Sequence, residues 1–206
     1  MQKLSVMMPI APIAFPAFNG DQLYMHEIDL ANPVLPEGFN AWIDAFTAVV
    51  LAAYKVGCRT GKAFLTIDQK EVPKGYSHRR PGRHVDGNYL FSWGGGGSGW
   101  LTGEAGRYLP PEKHQQQYCS DTGGMIIASS YSACKVWNGY WQGVPAQGGD
   151  CSHIDVSGME EAMLEPNMVY IGNHAIHESV PVQDDVCRSL IRLTLPHDFR
   201  VPFTAN

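Results

Sequence analysis

Long apolar runs are missing from this 206-residue chain. No segment approaches the roughly 20 consecutive apolar residues of a membrane-spanning helix. Met1-Gln2-Lys3 followed by Leu4 to Phe18 has the outline of a signal peptide, but Pro9, Pro12 and Pro16 interrupt it, so the expectation is a soluble, cytoplasmic protein with no membrane partner. Paired cysteines are missing too. Cys58, Cys119, Cys134, Cys151 and Cys187 are odd in number, widely spaced and contain no C-x-x-C pair, which argues against a disulfide framework or a zinc ribbon and predicts reduced, partly buried thiols. Positive charge is in deficit, with 15 Lys and Arg against 20 Asp and Glu and a net charge of -5. That balance gives no general attraction to nucleic acid, so any such binding has to be local. The run Gly94 to Gly99 has no lysine-serine ending and no helical pattern after it, which excludes a phosphate-cradling P-loop and leaves a surface loop or a lid.

What is present is ordinary globular composition, 44% hydrophobic, 11% aromatic and 17% charged, in a length that suits one domain over residues 1–206. Residues 1–38 read as irregular or strand-like, punctuated by prolines. Trp42, Phe46, Val49, Val50 and Ala53 recur at helical spacing, so a helix is expected over about 40–56, with Asn40 available to cap its start and Gly57 its end. Lys62 to Asp68 reads as a strand and Glu71 to Gly82 as a polar loop. Tyr89 to Trp93, Met125 to Tyr131, Lys135 to Trp141, Met168 to Ile171 and Arg188 to Leu195 are short β-rich runs separated by turn residues. The pattern predicts a mainly β protein, an antiparallel sandwich or small barrel with one helix packed outside.

Three potential metal ligands occur in order: His84 and Asp86 two residues apart, then His177. On an extended segment residues i and i+2 share a face, so one ion can meet both His84 and Asp86, and two histidines with one carboxylate leave open coordination positions. Beyond His177, Arg188, Leu190, Arg192 and Thr194 share one strand face. An arginine flanked by Ile191 and Leu193 is costly to bury unless it meets an anion, and its planar fork suits a carboxylate.

This ordered set resembles the iron(II) and 2-oxoglutarate-dependent oxygenases, with His84-Val85-Asp86, a distal His177 and Arg192-Leu193-Thr194 matching the family's pattern. The resemblance covers roughly Gly75 to Leu195 and implies a double-stranded β-helix, a cupin-like jelly roll, within the single domain. It implies that His84, Asp86 and His177 bind Fe(II) and that Arg192 with Thr194 holds the distal carboxylate of 2-oxoglutarate. It further implies hydroxylation or oxidative demethylation of an unidentified substrate with O2, releasing succinate and CO2. His174 is the alternative distal ligand, in which case Arg188 has the arginine spacing. A cupin-like metal protein with an isomerase or ligand-binding role, or a non-catalytic β-sandwich interaction domain, are the competing functions.

Other residues have blander readings. Tyr76, Tyr89, Ser129 and Tyr131 offer hydroxyls but suit packing, as do Trp93, Trp100, Trp137 and Trp141. Lys70, Lys74, His78, Arg79, Arg80 and Arg83 form a basic stretch leading to the ligands. It is by default a solvated loop, or else an attractor for an anionic substrate, including a phosphorylated metabolite or nucleic acid. His26, His114, His153 and His197 have no partner at ligand spacing.

Overall fold

A computed structural model describes residues 2–86 and 118–203. Its strands in chain order are β1 (Gln2–Ser5), β2 (Met7–Pro12), β3 (Gln22–Asp29), β4 (Lys62–Val72), β5 (Met125–Ser129), β6 (Cys134–Gln142), β7 (Glu160–Met163), β8 (Met168–Gly172), β9 (Ile176–Ser179) and β10 (Val186–Thr194). The α-helix α1 (Ile43–Lys55) follows a 3-10 turn over Asn40–Trp42. The strand expected over Tyr89 to Trp93, the glycine run Gly94 to Gly99, Trp100 and His114 lie outside the described residues.

The strands form two antiparallel sheets. The larger has the order β2-β8-β5-β10-β4-β3; in the smaller, β6 pairs with β1, β7 and β9. The prolines of the N-terminal region sit where a sheet tolerates them: Pro9 and Pro12 lie on β2, an edge strand whose register slips between Pro9 and Ala11.

The outer face of the large sheet is apolar because β4 turns Ala63, Leu65 and Ile67, and β10 turns Ile191 and Leu193, toward α1. The helix answers with Phe46, Val49, Val50 and Ala53, which makes the largest core among the described residues. Asn40 does not cap this helix. It opens the preceding 3-10 turn, and no side chain hydrogen bonds to either N-terminus. Gly57, with φ of 91°, ends it in a Schellman arrangement: the Gly57 amide donates to Tyr54 (3.1 Å) and the Cys58 amide to Ala53 (2.9 Å). A second core, including Met125, Ile127, Val136, Tyr170 and Leu190, fills part of the space between the sheets, and a third backs the small sheet through Trp137, Trp141 and Ile176. No helix among the described residues is long and apolar enough to cross a membrane. All five cysteines are free; Cys187 alone is exposed. Burial raises the Cys58, Cys134 and Cys151 thiols to about 12.

Candidate metal centre

The site begins with the chain between β4 and residue 86, which is fastened alongside β9. Gly75 donates to Val182 (2.9 Å), Val182 to Tyr76 (2.9 Å), and Ser77 Oγ to the Ser179 carbonyl (3.1 Å). Farther along, His84 and His177 exchange both backbone hydrogen bonds at 2.9 Å. Directly opposed residues of an antiparallel pair project to the same side, and Asp86, two residues on, shares that side. Local backbone pairing therefore brings the three ligands together across 93 residues of sequence (177 minus 84). The other flank is held by Val85 donating to Gly149 (3.0 Å) and Cys151 donating to Arg83 (2.8 Å). Gly149 is obligatory there: its φ is 78°, and a Cβ would fall 2.1 Å from the Val85 carbonyl oxygen.

The ligand atoms of His84, Asp86 and His177 all lie within 4.8 Å of one another. One ion with bonds of about 2.0–2.2 Å reaches them after small side-chain adjustments. Each imidazole is already oriented for it. His84 Nδ1 faces the Gly82 carbonyl at 2.7 Å and His177 Nδ1 the Ala175 carbonyl at 2.9 Å, each two residues upstream. A carbonyl only accepts, so both Nδ1 atoms carry the proton and both Nε2 lone pairs are left for a metal. Burial, followed by the neighbouring His177, lowers the His84 pKa to about 3, which keeps its ring neutral. Burial opposes ionisation of Asp86, but Arg192 overcomes it and holds the carboxyl well below its ordinary range. Arg192 Nη1 donates to Asp86 Oδ2 at 2.8 Å, leaving Oδ1 as the ligand oxygen.

His174 is not part of this cluster. Its Nδ1 and Nε2 point at the carbonyls of Asp86 (2.8 Å) and Thr122 (2.7 Å), so neither nitrogen is free to ligate. It supports the backbone behind the site instead.

The triad opens into a cavity of about 400 Å³ between the sheets. Arg188, Leu190 and Arg192 of β10 line it; Thr194, on the same strand face, does not. Arg188 is 1% exposed, with Nε donating to Ser129 Oγ at 2.7 Å and Nη1 without a partner. From the basic stretch, Lys70, His78, Arg79 and Arg80 line the cavity, whereas Arg83 turns away to the Ser152 carbonyl (2.8 Å). His78 and Asp68 were not expected as a pair. The fully buried His78 ring has Nε2 3.2 Å from Asp68 Oδ1, a contact too poorly aligned for a hydrogen bond, and Arg79 Nη1 donates to Asp68 Oδ2 at 2.9 Å. The alternation of β4 was the available signal, since it turns Asp68 to the face opposite Ile67. Of the six buried side-chain nitrogen and oxygen atoms without a hydrogen-bond partner among the described residues, five belong to residues lining this cavity: Asp68 Oδ1, both His78 nitrogens, Arg188 Nη1 and Arg192 Nε. Asp68 Oδ1 and His78 Nε2 face each other, whereas Arg188 Nη1 and Arg192 Nε are buried donors that no group meets, and because buried polar groups are normally paired these two suit the cavity to a polar ligand.

The remaining candidates have structural roles or none at the site. Trp137 and Trp141 are buried behind the small sheet, Tyr131 packs beside Val72 and Val182, and Tyr76 is 68% exposed. His26 is exposed on β3, and His153 Nε2 faces the Val144 carbonyl at 3.1 Å. Comparison of the chain with protein-family models, curated proteins and solved structures found no match, so the chemistry of this site rests on its own residues.

Proposed function

We propose that the chain is an Fe(II)- and 2-oxoglutarate-dependent oxygenase built on a double-stranded β-helix. The fold reading is supported by the way the chain alternates between sheets: β4 in the large, the His84 segment beside the small, β5 in the large, β6 and β7 in the small, then β8, β9 and β10 in alternation. Two opposed antiparallel sheets wound in this way form a cup with the triad inside.

The observation that carries the function is a two-histidine, one-carboxylate face sharing a cavity with two buried arginines that retain unpaired N–H groups. That donor set suits a non-haem Fe(II) centre with open positions, and the arginines suit a dicarboxylate co-substrate. When bound, iron and 2-oxoglutarate supply the oxidising chemistry, consuming O2 and yielding succinate and CO2. His84, Asp86 and His177 hold the metal. Arg192, already committed to Asp86, fixes that carboxylate and the charge beside it. Arg188, about 13 Å away along the strand, is the better anchor for the distal carboxylate, because its Nη1 is buried without a partner and Ser129 fixes its orientation. This moves the anchor from the Arg192-Thr194 pair that the resemblance implies.

Anaerobic titration with Fe(II) and 2-oxoglutarate tests the reading. A saturable, weak visible charge-transfer band is expected, together with loss of stoichiometric iron in His84→Ala. Iron bound without any band on adding the keto acid would leave a metal protein lacking this oxygen chemistry. Iron content unaffected by His84→Ala would remove the metal centre itself.

A further inference from the structure

We infer that the substrate of this site is a small molecule carrying an anionic group, recognised in the cavity by Arg79 and Arg80 with Lys70 adding to the positive charge of its lining. The inference rests on the oxygenase reading above and concerns charge that this reading leaves over. Five cationic side chains line the cavity, Lys70, Arg79, Arg80, Arg188 and Arg192, against two carboxylates, Asp68 and Asp86, a local excess of three positive charges in a protein whose net charge is -5. The imidazoles add nothing: metal ligation requires His84 and His177 neutral, and burial lowers the pKa of His78. A divalent metal and a dianionic co-substrate cancel each other, so loading both leaves the excess where it was. Positive charge left without a matching carboxylate at a cavity mouth attracts an anion.

The excess is also placed to recognise one. Arg188 and Arg192 serve the co-substrate and Asp86, which leaves Arg80 and Lys70, both exposed, and Arg79, whose side chain is 26% exposed and shares its charge with Asp68. The Arg79 guanidinium is held on two sides, by Asp68 at 2.9 Å and by the Tyr24 ring with its centroid 6.0 Å away, and its backbone amide donates to Ser179 Oγ at 3.2 Å. Arg80 is fixed by Nη1 donating to the Gly148 carbonyl at 2.8 Å. Two arginines so restrained lose little conformational entropy on meeting a phosphate, carboxylate or sulfonate. A chamber of about 400 Å³ is at the small end of small-molecule sites, and the acidic balance of the rest of the chain disfavours a polyanion lying across the surface.

The test uses the full chain loaded with Mn(II) and saturated with 2-oxoglutarate, titrated calorimetrically with methylphosphonate and with its uncharged dimethyl ester. Saturable binding of methylphosphonate only is expected, weakening with added salt and falling about tenfold or more in Arg79→Gln and measurably in Arg80→Ala. Retention of 2-oxoglutarate binding in both variants checks that the site is intact. Methylphosphonate binding that persists in both variants would put the anion on the metal and overturn the inference, as would equal binding of the ester or no binding at all. Tight, steeply salt-dependent binding of a single-stranded oligonucleotide would replace the small anion with nucleic acid. Failure of 2-oxoglutarate to bind the metal-loaded protein would instead remove the oxygenase reading, an outcome visible before any phosphonate is added.

Discussion

The two faces of β10 carry the same strand to opposite ends. Toward α1 it presents Ile191 and Leu193, both fully buried in a continuous apolar core. The large polar side chain buried on that side, Gln69 of the adjoining β4, is saturated: its carbonyl accepts from the amides of Asn19, Gly20 and Asp21, and its NH2 donates to Ala17 and Ser189. Toward the cavity β10 presents Arg188 and Arg192, nearly as inaccessible, yet each with an unpaired N–H. One face satisfies everything it buries, and the other keeps polar capacity in reserve at a cost in stability. The difference separates the part of the sheet that holds the fold from the part that holds a ligand, and substitutions on the two faces are expected to have different consequences.

The largest effect is expected where the cavity face is most tightly coupled. Asp86→Ala removes a proposed ligand and strands Arg192, a loss of about 3–5 kcal/mol if the arginine stays buried. Adding Arg192→Leu is expected to return most of that stability without returning metal binding. Chemical denaturation followed by metal analysis reads both, and a single variant as stable as the parent would mean that the ion pair contributes nothing. On the helix side, Leu193→Ala is expected to cost about 2–5 kcal/mol through a cavity in the packed core, while the metal and co-substrate affinities of the folded protein hold. A smaller effect, of the opposite kind, is expected for Arg188→Met. Stability changes little because an unpaired buried donor is removed, whereas 2-oxoglutarate affinity falls by about 1.5–3 kcal/mol, or roughly 10–150-fold. Unchanged affinity there, with a loss in Arg192→Ala, would return the anchor to Arg192.

How much of this contrast could be read from the sequence depends on how local its cause is. The helix-side face was legible, because α1, β4, β5, β8 and β10 are β-branched or periodic runs whose burial follows their own pattern. Glu160–Met163 was not: its composition is that of a helix, and only pairing with β6 makes it the strand β7. The four-residue β9 is too short for a periodic signal, although it carries His177. On the cavity face the ligand types and their order were visible, whereas the Arg192–Asp86 pair joins residues 106 apart and depends on how the sheets close. The same closure buries His78 against Asp68, in a stretch whose local composition reads as a solvated basic loop.

An effect confined to acid distinguishes the faces by pH. With its pKa lowered by burial and by the neighbouring His177, metal-free His84 takes up a proton only near pH 3, whereas in the unfolded chain it does so near 6.5. His78 is shifted in the same direction, first by burial. Between those limits the unfolded state binds protons that the folded state refuses, so stability is fully present above about pH 6.5 and declines as the pH falls toward 3. The carboxyl groups of Asp86 and Asp68, both lowered, extend the decline below their ordinary value of 3.8. Each imidazole contributes at most one proton, a slope of about 1.4 kcal/mol per pH unit. His84→Gln and His78→Gln are therefore each expected to flatten the metal-free stability curve between about pH 6 and pH 4, and Leu193→Ala is expected to lower the curve without changing its slope. Urea denaturation across that range decides the matter, since a parent protein equally stable at both ends would show that the buried rings accept protons in the folded state and that the cavity is wetter than its burial implies.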